Sequence, residues 1–168
     1  AESSLGRIEI GDQDDAPDRM FVAGEDVMKG RGGYDGAVSE SPFPQTGIVG
    51  ISASPTVTLT DDASKLIYFT PRFSGLQFGF SFTPDIGHNG GQAANDANGD
   101  FSNVFGIGAN YVRKVMGVNM TVSTVASFGG HETAGTEDMQ IWGVGATFAY
   151  NGFELGAGYV DHGETGIT

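Results

Sequence analysis

Leu76-Gln77-Phe78-Gly79-Phe80-Ser81-Phe82 is the stretch that decides the fold. Leu76, Phe78, Phe80 and Phe82 are large and apolar, whereas Gln77, Gly79, Ser81 and Thr83 are small or polar. Successive side chains of a strand point to opposite faces, so this period of two predicts one greasy face and one polar face. The pattern repeats outward from there. Phe105, Ile107, Ala109 and Tyr111 alternate with Gly106, Gly108 and Asn110; Val118, Met120 and Val122 alternate with Asn119, Thr121 and Ser123. Trp142, Val144, Ala146, Phe148 and Tyr150 stand against Gly143, Gly145 and Thr147, and Phe153, Leu155, Ala157 and Tyr159 against Glu154, Gly156 and Gly158. Two earlier strands are shorter or less clear. Gly6 to Gly11 sets Ile8 and Ile10 against Arg7 and Glu9; in Lys65 to Phe73, Leu66 and Tyr68 hold the apolar phase while Ile67 and Phe69 blur it. Helical periodicity is almost absent from the last two-thirds of the chain, so the expected class is all-β.

The connections sort by length. Phe73-Ser74-Gly75, Met116-Gly117 and Asn151-Gly152 are tight hairpin turns, and Asn-Gly is a strong hairpin signal. Asp12 to Asp62, Pro84 to Ser102 and Gly129 to Asp138 are long. Because each strand reverses direction, short turns collect at one end of the sheet and long loops at the other, as in outer-membrane β-barrels. Aromatic residues near strand ends, among them Tyr68, Phe73, Phe82, Phe105, Tyr111, Tyr150, Phe153 and Tyr159, match the girdles at membrane interfaces. The competing reading is an aromatic-rich soluble sandwich, but the polar face is Gly, Ser, Thr, Asn and Gln, with few of the charged residues a solvated sheet carries.

Composition agrees. Of 168 residues, 28 are glycine and none is cysteine, which disfavours a helical protein and excludes disulfides, thiolate metal sites and cysteine nucleophiles. A net charge of −13 argues against nucleic acid as a partner. No run approaches the roughly 18 apolar residues of a membrane-spanning helix. A mean hydropathy of −0.13 suits a soluble β-protein or a barrel, whose alternation averages out.

The run Ser64-Lys65-Leu66-Ile67-Tyr68-Phe69-Thr70-Pro71-Arg72-Phe73-Ser74-Gly75-Leu76-Gln77-Phe78-Gly79-Phe80-Ser81-Phe82 resembles the hairpin that follows the constriction loop in general diffusion porins of Gram-negative bacteria. Leu5-Gly6-Arg7-Ile8-Glu9-Ile10-Gly11-Asp12 resembles the strand before that loop, most closely in porins of alphaproteobacterial type. The resemblance implies an antiparallel transmembrane β-barrel of about 16 strands. About seven of these are read here, from the fifth to the eleventh, so the chain is expected to be an interior piece of one barrel domain. Its divisions are a strand at 5–11, a constriction loop at 12–62, a hairpin at 63–83, a long loop at 84–102, a hairpin at 103–128, a loop at 129–138 and a hairpin at 139–161. The 51-residue loop would otherwise count against the strand assignment, and in porins it folds into the barrel. A short helix is expected within Ala16 to Lys29, with Asp15 or Asp18 near its N-terminus.

On this reading the constriction-loop acids are Asp12, Asp14, Asp15, Asp18, Glu25, Asp26, Asp35 and Glu40, and the pore wall contributes Arg7, Glu9 and Lys65. Asp12, Asp14 and Asp15 are also candidate weak calcium ligands; the less specific reading is an exposed acidic turn. His88, His131 and His162 match no local metal motif and read as solvated loop residues. Asp96-Ala97-Asn98-Gly99-Asp100 begins like a calcium loop, but Phe101 stands where glycine is needed and Ile107 where glutamate is needed. There is no Gly-x-Ser-x-Gly elbow, and Gly30, Gly32 and Gly33 lack the context of a nucleotide fingerprint. No enzyme and no resident cofactor are expected.

The expected function is a water-filled channel for passive diffusion of small hydrophilic solutes and ions, with modest cation selectivity. The resemblance adds a bacterial outer-membrane location, contact with the bilayer and lipopolysaccharide, and a homotrimer. The alternative from another class is a soluble or cell-surface β-domain that binds or adheres through its acidic loops.

Overall fold

The sheet begins with β1 (Glu2–Ser3) and β2 (Gly6–Asp12), continues through β3 (Ser64–Phe69), β4 (Leu76–Asp85), β5 (Phe101–Val115), β6 (Val118–His131) and β7 (Met139–Tyr150), and ends with β8 (Phe153–Asp161). This is a computed structural model, and it describes residues 2–27, 57–60, 62–88 and 99–166. All neighbours pair antiparallel in sequence order, β1 through β8. The seven expected strands are joined at one edge by two-residue β1, which is too short to show any alternation in the sequence. Among the described residues β1 and β8 do not pair with each other. Among the described residues no helix is long and apolar enough to cross a membrane.

Three turns connect the long hairpins, each with positive φ at two successive residues: Ser74-Gly75, Met116-Gly117 and Asn151-Gly152. Two such residues make the type I′ geometry, whose twist matches that of the flanking strands. At the opposite end the strands run slightly further than the alternation suggested. β4 passes through Pro84 to Asp85, and β5 starts at Phe101. The cause is a bulge: Ser102 pairs with Gly130 and Phe105 with Phe128, leaving an extra residue on β5 beside Asn103, whose φ is 52°. An inserted residue shifts the phase of the alternation and lets the neighbouring strand accommodate a proline.

The burial of the two faces is inverted relative to a soluble sheet. Ile107 is 45% exposed, whereas Ser127 and Ile141 are fully buried. Continuous apolar rows cross the exposed face. Ile8, Tyr68, Phe80, Ile107, Ala126 and Trp142 stand opposite one another strand by strand. Tyr68 stacks on Phe80, and the Phe82 and Phe105 rings lie 4.8 Å apart between centroids. The other face, with Gly79, Ser81, Thr83, Gly106, Gly108, Ser123, Val125 and Gly145, is buried. What covers it is the chain between β2 and β3: helix α1 (Ala16–Met20), a 3-10 helix at Gly24–Val27 and residues 57–60.

That packing also explains β3. Ile67 and Phe69 lie in the inward phase and cluster with Ala16, Met20, Val57 and Val125. They blur the alternation because this strand has apolar neighbours on both sides. A second apolar cluster, Phe101, Val104, Met139 and Ile141, closes the long-loop end of the same face.

Candidate functional site

Helix α1 starts where the sequence places it. Asp15 is the N-cap, its Oδ1 accepting from the Asp18 amide at 3.0 Å, and Pro17 occupies the first turn. The five-residue helix ends at Met20, with the Phe21 amide donating to the Pro17 carbonyl at 2.9 Å. Asp15 does more than cap. Its Oδ2 accepts from the hydroxyls of Thr58 at 2.5 Å and Thr60 at 2.9 Å, so one carboxylate ties the outgoing end of the loop to its return. It is 1% exposed. Lys65 performs a similar task from the wall, its Nζ donating to the Gln13 carbonyl and, at 3.4 Å, to that of Thr60.

Three wall serines hold the loop backbone. Ser81 Oγ accepts from the Ala16 amide at 3.3 Å, Ser123 Oγ accepts from the Val22 amide at 3.0 Å, and Ser127 Oγ donates to the Val57 carbonyl at 3.1 Å. Each satisfies a loop group that would otherwise be buried without a partner. Glycines set how closely the loop approaches. A Cβ at Gly145 would collide with the Val22 carbonyl oxygen, and one at Gly156 would lie 2.6 Å from that of Ala23. Sequence reasoning placed Gly145, Gly156, Ser81 and Ser123 on the polar face without seeing that they dock the loop, and it assigned Ser127 to neither face. The signal was there in their inward phase, but their partners are remote in sequence.

A charged latch sits where α1 meets β2. Glu9 Oε1 lies 2.6 Å from Arg7 Nε, and Glu9 Oε2 lies 2.6 Å from Arg19 Nη1. Both guanidiniums also approach the Phe69 ring, 5.1 Å and 4.9 Å from its centroid. Strand, helix and ring are thus joined by ion pairs and cation–π contacts, interactions that gain strength where water is partly excluded.

Several charges assigned from sequence to the pore stand elsewhere. Lys65 is in the inward phase but only 3% exposed, so it anchors the loop and does not present a wall charge. Asp15 is buried in the clamp. Asp12 pairs with Ser64 in the outward phase, and its carboxylate accepts from the Ser64 hydroxyl at the loop-end rim. Asp14, Asp18 and Asp26 are exposed. Arg7 is exposed in the inward phase and Glu9 is half-buried there, both drawn into the latch. Asp35 and Glu40, with Lys29 and Arg31, lie outside the described residues, as does the side chain of Glu25.

Asp12, Asp14 and Asp15 form no close group of carboxylates: Asp12 accepts from Ser64 at the rim, and Asp15 is consumed by the clamp. Among the described residues the carboxylates that do meet are Asp85, Asp100 and Glu132, with an oxygen of each within 4.8 Å of the others. They come from three segments around the long-loop end, a grouping no local motif announces. The histidines join no such group among the described residues. The His131 ring packs edge-on to Phe101 and accepts from the Thr133 amide.

Comparison with known proteins follows the same line. An uncharacterized protein of Rickettsia typhi is 29% identical over 106 residues, 54% of this chain and 24% of the relative. Uncharacterized proteins of Rickettsia prowazekii, at 29%, and Rickettsia conorii, at 28%, align over the same length. The aligned part of the chain therefore spans about a quarter of the relatives' length. No solved structure matches. The family model described as Gram-negative porin matches residues 1–167, and with an antiparallel sheet whose apolar face is exposed and whose small-residue face is filled by a loop, the chain belongs to that family of non-catalytic transport proteins.

Proposed function

We propose that this chain forms wall and constriction of a water-filled outer-membrane channel through which small hydrophilic solutes and ions diffuse passively, in a general diffusion porin of alphaproteobacterial type. The observation that carries the reading is the inversion of burial. Leaving a Phe, Leu or Ile side chain in water forgoes about 1.5–3 kcal/mol each, and whole rows of them stand exposed here. Hydrocarbon removes that cost, and the hydroxyls and glycines of the other face suit a lumen narrowed by the docked loop.

The open edges of the sheet support a larger barrel. Unpaired backbone groups are not tolerated in hydrocarbon, so β8 needs a neighbour, and further strands that close the wall supply it. The short turns then face the periplasm and the long loops the exterior. Family pattern supports a homotrimer with lipid and lipopolysaccharide against its apolar band. Exposed Asp14, Asp18 and Asp26 favour cations in the neck, while Glu9 is offset by two arginines.

Reconstitution of the full-length protein in planar bilayers tests this. Discrete conductance steps with a reversal potential of cation sign in a KCl gradient are expected; a protein that remains in plain buffer without detergent and gives no steps contradicts the reading.

A further inference from the structure

The exposed face of the wall is not uniform. Across β4 to β8 it holds an open hollow of about 640 Å³, floored by Ala109, Ala146 and Ala157 and walled by Leu76, Tyr111 and Tyr159. All six are in the outward phase, so the hollow opens on the side read as lipid-facing. Its floor exists because three alanines, on β5, β7 and β8, fall between larger side chains.

At its short-turn end stands a cation. Arg113 follows Tyr111 by two residues, shares its outward phase, and donates from Nη1 to the Tyr111 hydroxyl at 3.0 Å. Among the described strand residues in outward phase it is the only base; the acids of that phase, Asp12 and Asp161, lie at the opposite, long-loop end. Arg72 and Lys114 stand beside the same short turns, so three of the chain's eight bases collect at this end of a strongly acidic protein. An arginine fork is matched to phosphate oxygens, and one held by a tyrosine at an interface loses less freedom on binding.

The geometry points to a phospholipid site on the outer wall: a phosphodiester bound by Arg113 beside Tyr111, with an acyl chain lying in the alanine-floored hollow. The inference rests on the outer-membrane reading and goes beyond it, because a lipid-facing wall needs no specific lipid. The occupant is an intact glycerophospholipid of the leaflet at the short-turn side. Polar headgroup and apolar hollow are adjacent through Tyr111, which belongs to both.

Native mass spectrometry of the full-length protein tests it, with phosphatidylglycerol and a diacylglycerol of the same chains as the two probes. Phosphatidylglycerol should be retained on each subunit, and diacylglycerol about tenfold more weakly, the difference expected for a charge-assisted hydrogen bond. Arg113→Gln should bring the two probes to the same level, Arg113→Lys should keep most of the preference, and Ala146→Trp should expel both by filling the hollow. Arg72→Gln, whose guanidinium is held by the Gly75 carbonyl and Gln77, should leave retention unchanged. Variants are first checked for a native β circular dichroism spectrum and for bilayer conductance. Wild-type retention by Arg113→Gln, or equal losses in Arg72→Gln and Arg113→Gln, overturns the site. If the protein conducts and such results appear, the lipid site alone fails; if wild type does not enter bilayers, the channel reading fails and the site with it.

Discussion

At Gly145 the wall has no room for a methyl group, because the Val22 carbonyl oxygen occupies the place a Cβ would take. Gly145→Ala must therefore push the loop off the wall or strain it, at a cost of about 1–3 kcal/mol. Single-channel conductance should rise and become noisier as the constriction loosens; conductance identical to wild type would show that the loop does not depend on this contact. On the other face the expectation reverses. Ile107→Arg places a charge in hydrocarbon and should lower stability by about 2–4 kcal/mol, measured by urea titration in lipid, whereas Thr121→Arg, in the inward phase, should mainly change conductance. These facing directions were legible in the residues alone. What individual charges do was not. Lys65 and Asp15 read as pore charges, yet both are buried and satisfied by groups from distant parts of the chain, and a residue's type does not reveal its partner.

Among the elements, the loop is held by contacts between residues remote in sequence: Ala16 with Ser81, Val22 with Ser123, Val57 with Ser127. Asp15 is the point where its two limbs meet. Asp15→Ala removes a helix cap and leaves the Thr58 and Thr60 hydroxyls short of an acceptor, so it should lower stability by roughly 2 kcal/mol; Asp15→Asn, which keeps an acceptor, should lose less. Thermal unfolding of the two variants checks the order, and equal losses would mean that both carboxylate oxygens must accept. The strands were readable because period two survives wherever one face is exposed and apolar and the other carries small residues. Two places broke the pattern for identifiable reasons. β3 packs Ile67 and Phe69 against α1, and β5 changes phase at the bulge beside Asn103, so Phe101 and Ser102 read as loop although they are strand. The short helix was legible from its cap and proline. Its seat on the wall was not, since that depends on several strands being brought side by side.

For the whole molecule, the proposed channel makes the docked loop decide both the width of the passage and its field. With Asp12 at the rim, Asp15 and Lys65 buried, and Glu9 between Arg7 and Arg19, the exposed acids Asp14, Asp18 and Asp26 are the ones to which the proposed channel assigns its cation preference. Selectivity should weaken as salt rises, because the Debye length falls from about 10 Å at 0.1 M to about 3 Å at 1 M. Neutralising those three acids together should shift the reversal potential towards zero, and an unchanged potential would place the selective charges elsewhere. All of this depends on which side of the sheet meets lipid, a property of the assembled wall. Nitroxide labels at Thr121, Val122, Thr147 and Phe148 of the full-length protein in bilayers measure it directly, since these residues alternate between the faces of β6 and β7. Molecular oxygen, which partitions into lipid, should relax the labels at Val122 and Phe148, and an aqueous nickel chelate those at Thr121 and Thr147. Equal access of both agents to all four positions, or the opposite alternation, would contradict a wall with lipid outside and water within.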